Sequence, residues 1–249
     1  MRGVPPLYPG GFATRLVDMA PPSARSWPRN IFVALGVLLG LSGIWMLVPE
    51  LLNSTPLKHP FGRGGADMSA EQRGRAALAA HIGLIRGDLW AAAAFAGARL
   101  MWKEQAEGLS RSGGQQAAQV KSEAETALTF APVNGAAWLL LALLTPAPAG
   151  RENRIATLLE MSYFTAPNEA SLAPLRLERA VMSGALADKD LQLFLQSDIR
   201  AVLSRLPDGQ QTLAAIYGSA PAEAQPVFMS LIAEADPAVA ESLRSGQPK

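Results

Sequence analysis

Cysteine is absent from the 249 residues, which removes disulfide frameworks, thiolate metal sites and cysteine nucleophiles together. Histidine occurs only at His59 and His81. Neither has an acidic residue three or four positions on, so the pattern offers no helical metal pair and no oriented general base. Charge is sparse as well. Beyond residue 52 there are 18 Lys and Arg against 19 Asp and Glu, which lacks the basic footprint of a nucleic-acid binder. Strand-like alternation never lasts more than a few residues, so a sheet is not expected. The glycine run Gly62-Arg63-Gly64-Gly65 lacks the preceding strand and the Lys-Ser/Thr of a phosphate loop, and no cofactor is expected.

What the chain does have is one long uncharged run. Residues 31–48, IFVALGVLLGLSGIWMLV, make a helix of roughly 27 Å at 1.5 Å per residue, about the thickness of a bilayer's hydrocarbon core. Thirty residues precede it and Pro49-Glu50-Leu51-Leu52 follows, so it fits an uncleaved anchor better than a signal peptide. Arg2, Arg15, Arg25 and Arg29 stand against Asp18 before the run, whereas Lys58 and Arg63 balance Glu50 and Asp67 after it. The positive-inside rule then places the N-terminus in the cytoplasm and the rest outside. The expected location is a bacterial inner membrane, crossed once, with the C-terminal part periplasmic.

Within this run Gly36, Gly40 and Gly43 fall at i, i+4 and i+7. They share one helix face that would let two backbones approach, as in a homodimer through the anchor. Trp45 suits the aromatic belt at the outer interface. Residues 1–30 hold Pro5, Pro6, Pro9, Pro21, Pro22 and Pro28 without an apolar period and are expected to be a disordered tail. Its Pro5-Pro6-Leu7-Tyr8 matches the pattern taken by WW modules, but four residues in a Pro-rich stretch are a weak match and a solvated tail is the favoured reading. Residues 49–68, with Pro56, Pro60 and Gly62 to Gly65, read as a spacer.

From Ser69 the composition turns to Ala and Leu, which favour helix. The expected helices are 69–86, 88–107, 115–130, 134–145, 151–165, 169–184, 188–206, 209–218, 222–234 and 237–244. Their joints are marked by Pro132, Pro146, Pro148, Pro167, Pro207, Pro221 and Pro237, since proline cannot continue a helix. Short joints impose antiparallel neighbours. Residues 69–249 should therefore be an all-α domain of helical hairpins.

Hairpins punctuated by proline invite comparison with repeats. Val120, Ala124, Ala127 and Leu128 lead to Pro132; Trp138, Leu141 and Ala142 follow; then Leu159, Ser162 and Tyr163 lead to Pro167. Over these 48 or so residues the chain resembles the tetratricopeptide-repeat family. Its aromatic fills the space between paired helices, small residues let axes approach and proline stops the hairpin. Asn134 and Asn168 suit N-caps. The turn Arg86-Gly87-Asp88-Leu89-Trp90 resembles a repeat joint, whereas after Pro167 the aromatic position holds Leu172 or Ala173, and Arg176 falls where a small residue is usual. The resemblance implies an all-α solenoid with degenerate repeats around the clear one. The layout of tail, anchor and outer helical domain, with Pro167, Asn168, Leu172 and Arg176, resembles membrane-anchored accessory proteins of bacterial exopolysaccharide synthesis and export.

Two functions are weighed. A non-enzymatic scaffold would bind proteins of a membrane complex on the solenoid surface, with Arg176 and Arg179, three apart on one helix, as candidate partner-binding residues. A carbohydrate-acting hydrolase or glycan binder would need convergent carboxylates. The nearest pairs, Glu123 with Glu125 and Asp188 with Asp190, sit at i, i+2 and do not face one way. Arg86-Gly87-Asp88 is explained by an inter-helix turn, and Trp90, Trp102 and Trp138 by core packing. The sequence favours the scaffold, with no catalytic, metal or cofactor residues.

Overall fold

The computed structural model describes residues 26–52, 69–108, 113–146 and 152–245. Of the expected tail, residues 1–25 lie outside them and 26–30 are helical, not irregular; of the expected spacer, residues 53–68 with His59 lie outside them and 49–52 are helical. Among the described residues are eleven α-helices, one 3-10 turn and no strand. The chain divides into two units, residues 1–44 and 45–249.

The first helix, α1 (Ser26–Leu52), contains the stretch Arg29–Leu52, 24 residues of mean hydropathy 2.5 with no side chain of its most apolar window buried. It is long and apolar enough to cross a membrane. The run is longer than the uncharged stretch alone indicates, because Pro49 does not end the helix. Proline removes the donor that the carbonyl of Trp45 would otherwise receive. The last turn nevertheless holds, with Pro49 buried and Leu52 packed on the apolar cluster of Ala76, Ala79, Ala80, Leu89, Ala93 and Ala96.

Ten further helices fill the second unit: α2 (Ala70–Gly83), α3 (Gly87–Ala106), α4 (Gly113–Phe130), α5 (Gly135–Leu144), α6 (Glu152–Thr165), α7 (Ala173–Met182), α8 (Lys189–Arg205), α9 (Gly209–Ser219), α10 (Gln225–Ala235) and α11 (Pro237–Ser245). Their starts follow from local chemistry. The Ser69 hydroxyl accepts from the Gln72 amide, and the Gln72 side chain accepts from the Ser69 amide, a capping box that satisfies two orphan donors. Asn134 caps α5 through Ala137 N–H at 3.0 Å, as its place after Pro132 implies. Asn168 does not cap α7. Residues 166–172 form successive turns, and α7 starts at Ala173 with Pro174 in its first turn, where a missing N–H costs nothing.

From α2 to α11 each helix packs on the next, and α3 packs on α5, α5 on α7, α7 on α9, α6 on α8 and α8 on α10. The short joints make neighbours antiparallel, so α3, α5, α7 and α9 form one layer and α6, α8 and α10 the other. Two layer contacts are close because glycine begins a helix. A Cβ on Gly87 would lie 2.6 Å from the Ala127 carbonyl oxygen, and one on Gly135 would lie 2.9 Å from that of Ser162. Gly87 and Gly135 each stand three residues before a tryptophan, and the two indoles do the same thing. Trp90 Nε1–H donates to the Leu84 carbonyl at 2.9 Å and Trp138 Nε1–H to the Pro132 carbonyl at 2.9 Å, each six residues back.

The core is uneven along the stack. From α5 to α11 one continuous cluster runs from Leu139 to Ala240 and includes Leu159, Leu195 and Phe228. The earlier hairpins are held by small clusters made largely of alanine.

Candidate functional site

Arg176 and Arg179, three residues apart on α7, sit over the C-terminal ends of two different helices. Arg176 is fully buried. Its Nε–H donates to Ser162 Oγ at 3.0 Å, and its Nη2 donates to the carbonyls of Ser162 and Ala166 at 2.7 and 3.0 Å, where α6 ends. A cation suits that end because the last carbonyls carry the negative pole of the helix. The guanidinium also lies 4.4 Å from the centre of the Tyr163 ring and 4.0 Å from Asp198 Oδ1, an ion pair without a hydrogen bond. Tyr163 O–H donates to Asp198 Oδ2 at 2.7 Å. Burial pushes the Asp198 carboxyl up to about 6, against the opposing pull of the Tyr163 hydrogen bond and the Arg176 charge. Burial, aided by the neighbouring Asp198 charge, raises the Tyr163 phenol well above its usual range. Arg176 is enclosed and presents no donor to an outside partner: Nε and Nη2 join α7 to α6, while Nη1, without a hydrogen-bond acceptor, faces Asp198 of α8.

Arg179 is different. It is half-buried, and it donates to the Thr145 carbonyl at the end of α5. Its Nε–H has no acceptor, and burial lowers its pKa from the ordinary arginine value. The side chain lines an open groove of about 370 Å³ with Trp102 of α3, Leu143 of α5, and Leu175, Glu178 and Met182 of α7. The walls combine the apolar Trp102, Leu143, Leu175 and Met182 with the charged Glu178 and Arg179, and the Arg179 Nε is itself enclosed. Such a site can take an apolar group over Trp102 and Met182 with a polar group beside Glu178 and Arg179. Trp102 is half-buried here and lines this groove, a use its helical spacing did not reveal. Helical spacing gives the face of one helix, whereas the groove needs three.

The remaining candidates are dispersed. Glu123 is buried and takes Arg73 and Gln119, while Glu125 is exposed beside Lys121. Asp188 caps α8 through the amides of Asp190 and Leu191. Burial, with the charges of Asp188 and Asp190, raises the Glu160 carboxyl. No three His, Asp or Glu side chains among the described residues are placed to hold a metal. The His81 ring lies 5.0 Å from the Trp90 ring, tilted by 55°, and contacts the Ala77 carbonyl. Arg86 pairs with Asp88 at 2.6 Å and Glu50 at 3.2 Å around the buried Gly87, so the tripeptide is a folded turn. A Cβ on Gly36, Gly40 or Gly43 would meet nothing within 4 Å, so that face of α1 is open.

No family model, curated protein or solved structure matches the chain.

Proposed function

We propose that this chain is a membrane-anchored interaction protein whose helical hairpins are degenerate tetratricopeptide-like repeats, with the groove of α3, α5 and α7 as the peptide-binding surface. The observation that carries the reading is the groove itself, where α3, α5 and α7 of one layer bring apolar side chains beside the charged Glu178 and Arg179. Recurrence supports the repeats, since Gly87 with Trp90 and Gly135 with Trp138 repeat one joint down to the indole hydrogen bond. The partner class we propose is a component of cell-surface polysaccharide synthesis or export, on the strength of the layout resemblance. The anchor would hold the groove beside such a membrane complex, N-terminus inside and groove outside.

The test is photocrosslinking in native membranes from benzoylphenylalanine placed at Met182 in the groove or at Leu193, an exposed residue of α8. The expected result is a protein adduct from position 182 alone, identified as a glycosyltransferase or export component and lost in Arg179→Ala. Equal adducts from 182 and 193, or an adduct indifferent to Arg179, would remove the groove from the proposal.

A further inference from the structure

The second unit leaves a row of large apolar side chains in water at one end of its hairpins. Leu84 and Ile85 in the α2–α3 turn are 60% and 64% exposed, and Val133 in the α4–α5 turn is 73% exposed. Phe130, on the last residue of α4, and Phe164, near the end of α6, are exposed beside the α4–α5 and α6–α7 turns. Antiparallel alternation puts these three turns at the same end. The glycine contacts make them neighbours: Gly87 begins α3 against Ala127 and Ala131, and Gly135 begins α5 against Ser162 and Ala166. Scattered exposed leucines need no explanation, but a contiguous apolar edge marks a surface that something covers.

Three observations say what covers it. The first is position. Trp45 belongs to the apolar stretch Arg29–Leu52, and its Nε1–H donates to the carbonyl of Ile82 at 3.0 Å, two residues before Leu84. The α2–α3 turn is therefore beside the tryptophan of the apolar stretch. The second is backbone cost. Leu84 has φ +34°, a conformation that glycine adopts freely and a bulky residue adopts only under strain. An exposed leucine kept at a position that suits glycine points to a use for its side chain. The third is charge placement. Arg86 turns its head back to Asp88 and Glu50, so its charge is paired locally at this turn.

We infer that the edge formed by the α2–α3 and α4–α5 turns, extended by Phe164, inserts into the headgroup and acyl boundary of the membrane that holds the anchor. The occupant is the lipid surface itself. Trp45, Trp90 and Trp138 would then form one aromatic belt, their indole N–H groups already bonded to carbonyls of the same end of the unit. This inference rests on the anchor reading.

The chain's lack of cysteine makes the test direct. Full-length single-cysteine variants Leu39→Cys, Ile85→Cys, Val133→Cys and Leu193→Cys carry an environment-sensitive fluorophore and are reconstituted in phosphatidylcholine vesicles with or without brominated acyl chains. All four positions are exposed, so the label displaces no core packing. The expected result is quenching on the order of twofold or more at 39, 85 and 133, as for groups about 5–10 Å into the boundary or deeper, and none at 193. Quenching at 39 without quenching at 85 and 133 overturns the inference and leaves the anchor standing. No quenching at 39 removes the anchor and the inference with it. Quenching at 193 as strong as at 85 would mean non-specific adsorption and would also overturn it.

Discussion

Asp198 shows how one carboxyl can set a pH dependence. Its folded-state pKa of about 6 lies above the ordinary 3.8 because burial outweighs both Tyr163 and Arg176. Between these two values the folded chain binds more protons than the unfolded one, so stability falls as pH rises from 4 to 6 and then levels. The size is roughly 2 to 3 kcal/mol from 1.36 kcal/mol per unit. Urea denaturation of wild type and Asp198→Asn across this window checks it: the variant should lose that slope, and an unchanged slope would assign it to other groups. Arg176→Met goes further. It strands the Ser162 and Ala166 carbonyls and leaves Asp198 unpaired in the interior, and removing one partner of a buried pair costs about 3 to 5 kcal/mol. A midpoint shift much smaller than that in denaturation would mean that Arg176 is not the joint between α6, α7 and α8. Arg179→Met, half-exposed and bonded to one carbonyl, should cost about 1 kcal/mol while abolishing capture at the groove.

The joints are where helices acquire their order, and glycine separates two kinds of position. Gly74 lies exposed within α2 with open space around its missing Cβ, so Gly74→Ala should stabilise by about 0.5 to 1 kcal/mol through helix propensity alone. Gly135→Ala, with backbone of α6 in the way, should destabilise by about 1 to 3 kcal/mol as overpacking does. Thermal melts of the two variants should move in opposite directions, and a common direction would refute the close approach of α5 to α6. Much of this level was legible beforehand. Proline joints, the Ser69 cap and the apolar periods place ten helices near their observed bounds, because these are local signals within one or two turns. The late start of α7 was hidden because its first turn competes with a run of turns after Pro167. Sequence spacing made Arg176 a candidate for partner binding and hid its burial for a related reason: three helices meeting around a cation is a tertiary fact, invisible in the period of any one helix. The apolar edge was equally hidden, since Leu84, Val133 and Phe164 become neighbours only when the hairpins are stacked.

Across the second unit stability should be graded. The cluster joining α2 to α3 contains Leu89 and otherwise alanines, each burying little more than a methyl group, whereas α8 alone buries Leu191, Leu195, Ile199 and Val202. At about 0.8 kcal/mol per buried methylene the difference amounts to several kcal/mol of local support. Stacked hairpins share stability mainly with their neighbours, so α2 at the end of the stack receives little from the leucine-rich helices. Hydrogen exchange on the full chain in lipid nanodiscs should therefore find α8 the more protected and α2 the less. The membrane is expected to supply part of what the alanine core does not. Replacing Ile85 and Val133 by aspartate touches no buried contact, yet it would hold the edge off the bilayer and should speed α2 exchange about tenfold, equal to 1.4 kcal/mol, with α8 unchanged. If α2 and α8 exchange together in both proteins, the unit unfolds as one cooperative body and owes nothing to the lipid beneath it.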